Sequence, residues 1–170
     1  MRQYLRSVIF LLCTLLLFRP VQSAGFPQPK GFASAGTLQR YGLPEQKLEN
    51  GSIFDYMDGG GIVYLDHGFQ ELIHCEFSNS RGGLITFDRF TMETAEQALA
   101  ALADQRIAPE GGSPLPLNAS NKAYRFPPDY FIYLVWGKHL LYLHVNDDQL
   151  AEILDQFAAD VLKSLKEEKE

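Results

Sequence analysis

Four histidines and one cysteine carry the metal-binding and nucleophilic potential of the chain beyond its first 23 residues: His67, His74, Cys75, His139 and His144. Imidazole and thiolate groups are common ligands of zinc and copper. Their spacing works against a shared site, because His139 and His144 differ by five positions and would point to opposite faces of a strand. His74 and Cys75 are adjacent and diverge for the same reason. The sequence therefore predicts no metal centre and no cofactor.

Acid–base catalysis by some of these side chains is an alternative. A small periplasmic enzyme or metal-dependent protein would use His74, Glu76 or His144. Cys75 is not predicted to be a nucleophile, because it shares a strand face with Ile73 and should be buried. No nucleophile elbow or other catalytic motif is present, so no catalytic residue is assigned.

A second candidate site is the run of three glycines that follows Asp58. Glycine-rich loops can bind ligands through backbone N–H groups. No Lys-Ser or Lys-Thr pair follows, and Asp58 would repel an anion, so a phosphate loop is not indicated. Two interpretations remain: close backbone packing beneath a sheet, or a ligand site formed by Asp58, Gly59 and Gly60. The glycines also leave open whether this segment is a helix or a turn.

A third candidate is the aromatic segment around Gly137-Lys138. This dipeptide suits a two-residue type II′ turn, which would pair Tyr133 with Tyr142 and Phe131 with His144. Strand alternation then produces one aliphatic face and one mixed face, the latter formed by Phe131, Tyr133, Val135, Leu140, Tyr142 and His144.

The mixed face has two possible roles. If helices cover only the aliphatic face, Phe131, Tyr133, Tyr142 and His144 form a ligand surface, because phenol groups in a dry core need hydrogen-bond partners. If helices cover both faces, the same residues belong to the core.

The remaining elements follow from periodicity and chain breakers. Helical spacing is found at 52–66, about 95–106 and about 149–165, and strand alternation at 69–77 and 84–92. Prolines and glycines make 107–121 a loop. The predicted fold class is α+β, a twisted antiparallel sheet packed with about three helices. We expect one domain at 52–165, an irregular arm at 24–51 and a charged tail at 166–170.

The first 23 residues have the three parts of a secretory signal peptide. Arg2 and Arg6 form a basic start, and the run Val8–Phe18 is mainly apolar. Small residues follow, so cleavage is expected after Ser23 or Ala24, with export to the periplasm or medium. A spanning helix needs about 20 apolar residues, so no stable membrane insertion is expected after cleavage.

Charge narrows the range of partners. Three of the 15 basic residues lie in the predicted signal, which leaves 12 basic against 21 acidic residues. A surface with this balance repels phosphate backbones, so nucleic acid is an unfavourable partner. Cys75 has no second cysteine after cleavage, so no intramolecular disulfide is expected.

One stretch resembles a known family. Residues 49–69 read ENGSIFDYMDGGGIVYLDHGF. The order of Tyr56, Asp58, Gly59 and the later Tyr-Leu and Gly-Phe pairs is similar to that of the domain of unknown function 6599 family, which is found in exported bacterial proteins. The resemblance implies one fold and export, and implies no activity. Gly61 departs from the alanine or acidic residue common there, which argues against an uninterrupted helix.

These observations predict an exported, non-catalytic binding or envelope accessory domain. Its partner would be a small molecule or an envelope protein, bound at the mixed face or at Asp58–Gly60. A binding module should present a continuous apolar groove. An enzyme should present a pocket with perturbed carboxylate or histidine pKa values.

Overall fold

A computed structural model of the chain describes residues 26–167. The predicted signal peptide and its cleavage points lie outside these residues, as do the last three positions of the charged tail. Across the described range, no helix combines the length and the apolar character that crossing a membrane would require.

The described residues form one twisted antiparallel sheet with helices packed on it, which confirms the α+β prediction. Its strands are β1 (Ala33–Ser34), β2 (Gln39–Tyr41), β3 (Phe69–Ser78), β4 (Leu84–Met92), β5 (Ser120–Phe126), β6 (Asp129–Trp136) and β7 (His139–Val145). The strand order is β1-β3-β4-β7-β6-β5, and β2 also pairs with β3. The β6–β7 hairpin is therefore internal.

The helices are α1 (Ile53–Met57), α2 (Gly61–Leu65), α3 (Ala95–Ala103) and α4 (Ala151–Glu167). A 3₁₀ turn at Asp58–Gly60 separates α1 from α2. The sequence left open a helix or a turn for this segment, and the structure contains both. Thr94 caps α3, because its hydroxyl accepts a hydrogen bond from the Gln97 N–H at 3.2 Å. Asp147 likewise accepts from the Gln149 N–H, at 3.0 Å, just before α4.

Two boundaries differ from the sequence predictions. The arm at 24–51 is not wholly irregular, because Gln39 pairs with His74 and Tyr41 with Leu72 at the edge of the sheet. The strand β2 has only three residues, which is too short for an alternating pattern to be recognised in the sequence. Its position is determined by pairing with β3. The strand β5 begins within the last residues of the predicted loop and extends to Phe126.

The hairpin register is as predicted. Tyr133 lies opposite Tyr142, and Phe131 lies opposite His144. Gly137 has a φ of 55°, a left-handed conformation that glycine adopts without steric cost. The assignment of residues to the two faces of the hairpin is thereby confirmed.

Helices cover both faces of the sheet, so the arrangement with helices on one face only is wrong. The helix α4 packs on the sheet face that includes the aliphatic side of the hairpin, called the α4 face below, where Phe157 contacts the rings of Phe77 and Phe87. Near its end, Lys166 places Nζ 5.0 Å from the centre of the Trp136 ring. The helices α1, α2 and α3 pack on the other face of the sheet, called the mixed face, where they bury a row of apolar side chains: Leu72, Phe90, Leu140 and Val135.

Candidate functional site

Beyond this apolar row, the side chains of the mixed face become polar or aromatic. Strand register aligns the next two rows across five strands: His74, Asp88, Tyr142, Tyr133 and Lys122 in the first, and Glu76, Thr86, His144, Phe131 and Tyr124 in the second. We call these ten residues the polar–aromatic face. Asp88 and Tyr124 are buried, Glu76 is exposed, and the other seven are half-buried. The face thus lies at the margin of the helical cover, so neither alternative holds in full: Tyr133 and Tyr142 pack against the core beneath α1–α3 and keep part of their surface exposed.

Three aromatic rings form the centre of this face. The ring centres of Tyr133 and Tyr142 are 5.0 Å apart, and that of Phe131 lies 6.0 Å from Tyr133 and 6.1 Å from Tyr142. Neither phenol hydroxyl has a hydrogen-bond partner within residues 26–167. Burial is the main cause that raises the pKa of Tyr133 well above its ordinary value and the pKa of Tyr142 to about 12. Both hydroxyls therefore remain protonated and able to donate at neutral pH.

A hydrogen-bonded cluster adjoins these rings on the next strands. His74 on β3 places Nδ1 2.7 Å from Oδ1 of Asp88 on β4. The Tyr56 hydroxyl on α1 donates to Oδ2 of Asp88 at 2.9 Å. When Asp88 is ionised it can only accept, and His74 then donates through Nδ1; the Tyr56 hydroxyl lies 3.0 Å from the same nitrogen. Its Nε2 has no hydrogen-bond partner among the described residues, and the side chain is 12% exposed.

The carboxyl group of Asp88 is almost completely enclosed, at 4% exposure of its side chain. Burial is the largest influence and raises its pKa, because it penalises the charged form. The hydrogen bonds from His74 and Tyr56 oppose that rise. The pKa of Tyr56 is also raised, first by burial and then by the charge of Asp88.

Two further polar groups border the rings. His144 places Nε2 2.7 Å from Oδ1 of Asp129, which is 45% exposed. Lys122 donates from Nζ to the Leu102 carbonyl at 3.0 Å, at the C-terminal end of α3. Cations suit this end of a helix, so Lys122 has a structural partner.

The structure brings together four of the predicted ligand residues: Phe131, Tyr133, Tyr142 and His144. The other three, Asp58, Gly59 and Gly60, form the exposed turn between α1 and α2. This turn makes no side-chain hydrogen bond to the polar–aromatic face within the described range. Close packing applies only to Gly61, where a Cβ would lie 3.1 Å from Ile53; at Gly59 and Gly60 it would meet open space.

Sequence reasoning missed Asp88 and Tyr56. A signal for Asp88 existed, because it is the only carboxylate in β4 and alternates with Phe90 on one face. Tyr56 carried no such signal, since only the fold places α1 above His74 and Asp88.

One other candidate site is a groove on the opposite side of the sheet, beside α4. The groove has a volume of about 370 Å³ and runs between residues 115–117 and α4. Its wall includes Asp155, whose Oδ1 already accepts a hydrogen bond from Tyr130 at 2.6 Å. Within residues 26–167, no three metal-ligating side chains are grouped closely enough to hold an ion.

Comparisons with protein-family models, curated proteins and solved structures find no match. The resemblance to the 6599 family consequently stays a prediction without support from these comparisons.

Proposed function

We propose that this chain is a non-catalytic binding domain whose ligand, a small molecule, occupies the accessible part of the polar–aromatic face. The observation that carries the proposal is the pair of phenol hydroxyls on Tyr133 and Tyr142. Both belong to half-buried side chains and lack partners among the described residues. Export to the periplasm or medium is part of the same proposal.

The chemistry of the two tyrosines supports a ligand with hydrogen-bond acceptors. A partly buried hydroxyl without a protein partner is costly unless water or a ligand pairs with it. The rings of Phe131, Tyr133 and Tyr142 add apolar area around these donors. Small-molecule sites usually combine an apolar or aromatic lining with a few polar groups.

The hydrogen-bonded cluster of Tyr56, His74 and Asp88 restrains the side chains beside the proposed site. It joins α1 to β3 and β4 through hydrogen bonds of 2.7 and 2.9 Å. Asp88 pairs with Tyr142 across the strands. Side chains whose rotamers are already restrained lose less conformational entropy when a ligand binds.

The test removes only the two hydroxyl groups. Protein purified from its own host is analysed by native mass spectrometry, and the mass of any bound molecule is recorded. The double variant Tyr133→Phe/Tyr142→Phe should lose most of this occupancy and unfold within about 0.5 kcal/mol of the unmodified chain, because no described protein hydrogen bond is broken.

The matched control is Tyr130→Phe on the opposite face of the same strand. Its hydroxyl donates to Asp155 at 2.6 Å, so stability should fall by about 1 kcal/mol while ligand occupancy is unchanged. Equal occupancy in the double variant and the unmodified chain would contradict the proposed site.

A second candidate function is acid–base catalysis by His74. The observation that favours it is the pairing of Nδ1 with buried Asp88, which orients the imidazole and leaves Nε2 without a partner in the described range. A base positioned by a carboxylate in this way is the arrangement used in hydrolytic triads.

This candidate is tested with p-nitrophenyl acetate as the probe. Catalysis would give a hydrolysis rate above that of free imidazole, and His74→Gln would abolish the excess. The control is His67→Gln, since His67 also contacts a carboxylate, Asp104, at 2.9 Å. The same rate in both variants and the unmodified chain would exclude His74 as the base.

A further inference from the structure

Strand alternation separates the positive charges of the sheet from the aromatic rings. Arg40, Arg89 and Arg125 each pair across strands with a residue of the α4 face, Ile73 for the first two and Tyr130 for the third. Every arginine in a described strand thus belongs to the face opposite the rings.

Each of these arginines also has a partner away from the rings of the polar–aromatic face, either a carboxylate or another aromatic ring. Arg40 contacts Glu49 at 3.2 Å, and Arg125 contacts Asp148 at 3.0 Å. Arg89 stacks on Phe26, with 4.9 Å from its guanidinium carbon to the ring centre. None of these pairings directs positive charge towards the polar–aromatic face.

Carboxylates lie on both faces, but those of the α4 face include the partners of its arginines, as Glu71 is for Arg40, whereas those at the rings have no arginine partner among the described residues. Glu76 and Asp88 belong to the polar–aromatic face, and Asp129 adjoins it through His144. The one lysine of the face, Lys122, is held by the carbonyl of Leu102. The two histidines each contact a carboxylate, Asp88 for His74 and Asp129 for His144.

We propose that the ligand of this face is an organic cation, an ammonium group with alkyl substituents. The inference rests on the proposed function and names the class of ligand. Aromatic ring faces attract such cations through their quadrupole, most strongly where water is partly excluded. The neighbouring carboxylates add attraction at longer range.

The same observations disfavour an inorganic cation. Divalent ions require several oxygen or nitrogen ligands at short distances, and no three metal-ligating side chains within residues 26–167 form such a group. Ring faces instead suit a large, weakly hydrated cation with methyl groups at its surface.

The experiment compares two probes of nearly equal shape, choline and its neutral isostere 3,3-dimethylbutan-1-ol. Each is titrated into the purified chain, and binding is followed by calorimetry and by NMR shifts of the tyrosine rings. Choline should bind about tenfold more tightly, a ratio expected for partly desolvated cation–π contact.

Variants identify the groups responsible. Phe131→Leu keeps apolar volume and loses a ring, so choline affinity should fall about fivefold; Phe131→Tyr keeps the ring and should retain affinity. The double variant Glu76→Gln/Asp129→Asn should weaken choline binding about threefold at low salt. Glu152→Gln on α4 is the matched control and should change nothing.

The outcomes separate the two proposals. Equal affinity for choline and its isostere, or no choline binding at millimolar concentration, would overturn the cation inference. If a neutral molecule is then found by mass spectrometry and depends on Tyr133 and Tyr142, the proposed function stands while the inference is wrong. Thermal unfolding of each variant distinguishes a loss of binding from a loss of folding.

Discussion

The two faces of the sheet are built from the same strands and have opposite characters. The α4 face is mainly apolar and is covered by α4, whose Phe157 and Leu154 are buried, together with Phe32 of the N-terminal arm and the loop residues Leu115 and Leu117. The mixed face is sealed by α1, α2 and α3 over one row only, and beyond that row it carries Asp88, His74 and half-buried tyrosines.

The difference shows how a small domain combines stability with a site. Burial of apolar side chains supplies most folding free energy, and one fully covered face provides much of that burial. The other face can then carry polar groups that would weaken a core. The following predictions test whether stability and binding are separated in this way.

The largest effect is expected from the sealed face. Phe157→Ala should lower the free energy of unfolding by about 3–5 kcal/mol, because a buried aromatic ring leaves a cavity. Tyr142→Ala, on the mixed face, should cost about 2 kcal/mol, since a half-buried ring loses less contact. Urea denaturation measures both, and a larger loss for Tyr142→Ala would contradict the division between the faces.

Thiol reactivity provides a second comparison. Cys75 is buried on the α4 face, and burial raises its pKa to about 11. A maleimide should label it only after denaturation. In the variant Cys75→Ala/Thr86→Cys, a thiol on the half-buried mixed face should react about a hundredfold faster in the folded protein. Equal rates at the two positions would show that both faces are sealed.

The pH dependence of stability tests Asp88. Burial raises its folded pKa above the ordinary value of 3.8, so the folded state binds more protons than the unfolded state between these two values. Stability should therefore fall as pH rises from about 4 through the folded pKa, by about 1.4 kcal/mol for each unit of the pKa rise. Asp88→Asn should remove this slope, as measured by thermal unfolding at pH 4–8. If Asp88→Asn left the pH dependence of stability unchanged, the attribution of that dependence to Asp88 would be wrong.

The smallest effect is expected at the turn beside α1. Asp58 has a φ of 46°, a region that costs a non-glycine residue about 1 kcal/mol or more. Asp58→Gly should therefore stabilise the fold by about 1 kcal/mol, measured by urea denaturation. If ligand occupancy also fell, the predicted role of Asp58 in binding would be supported.

The parts of the fold predictable from sequence were those with local signals. The turn at Gly137 and the alternation of β6 and β7 determined the register that pairs Tyr133 with Tyr142. Burial of Cys75 followed from the same alternation and is confirmed. The edge strand β2 was not predictable, because two or three residues have no periodicity.

The site was predictable only in part, for a physical reason. Phe131, Tyr133, Tyr142 and His144 share a face by strand parity, so sequence spacing assembles them. Asp88 joins them through pairing between β4 and β7, which are far apart along the chain. The extent of helical cover depends on how α1–α3 pack, and no local pattern encodes that geometry.

The contact between Trp136 and Lys166 has a spectroscopic consequence. The chain has a single tryptophan, and it lies on the α4 face near the end of α4. Its fluorescence therefore reports on the docking of that helix, because indole emission responds to a nearby charge and to solvent. Tyr133 and Tyr142 lie on the opposite face of the sheet, so a ligand bound there should leave this emission unchanged. Tryptophan emission thus distinguishes undocking of α4 from occupancy of the polar–aromatic face.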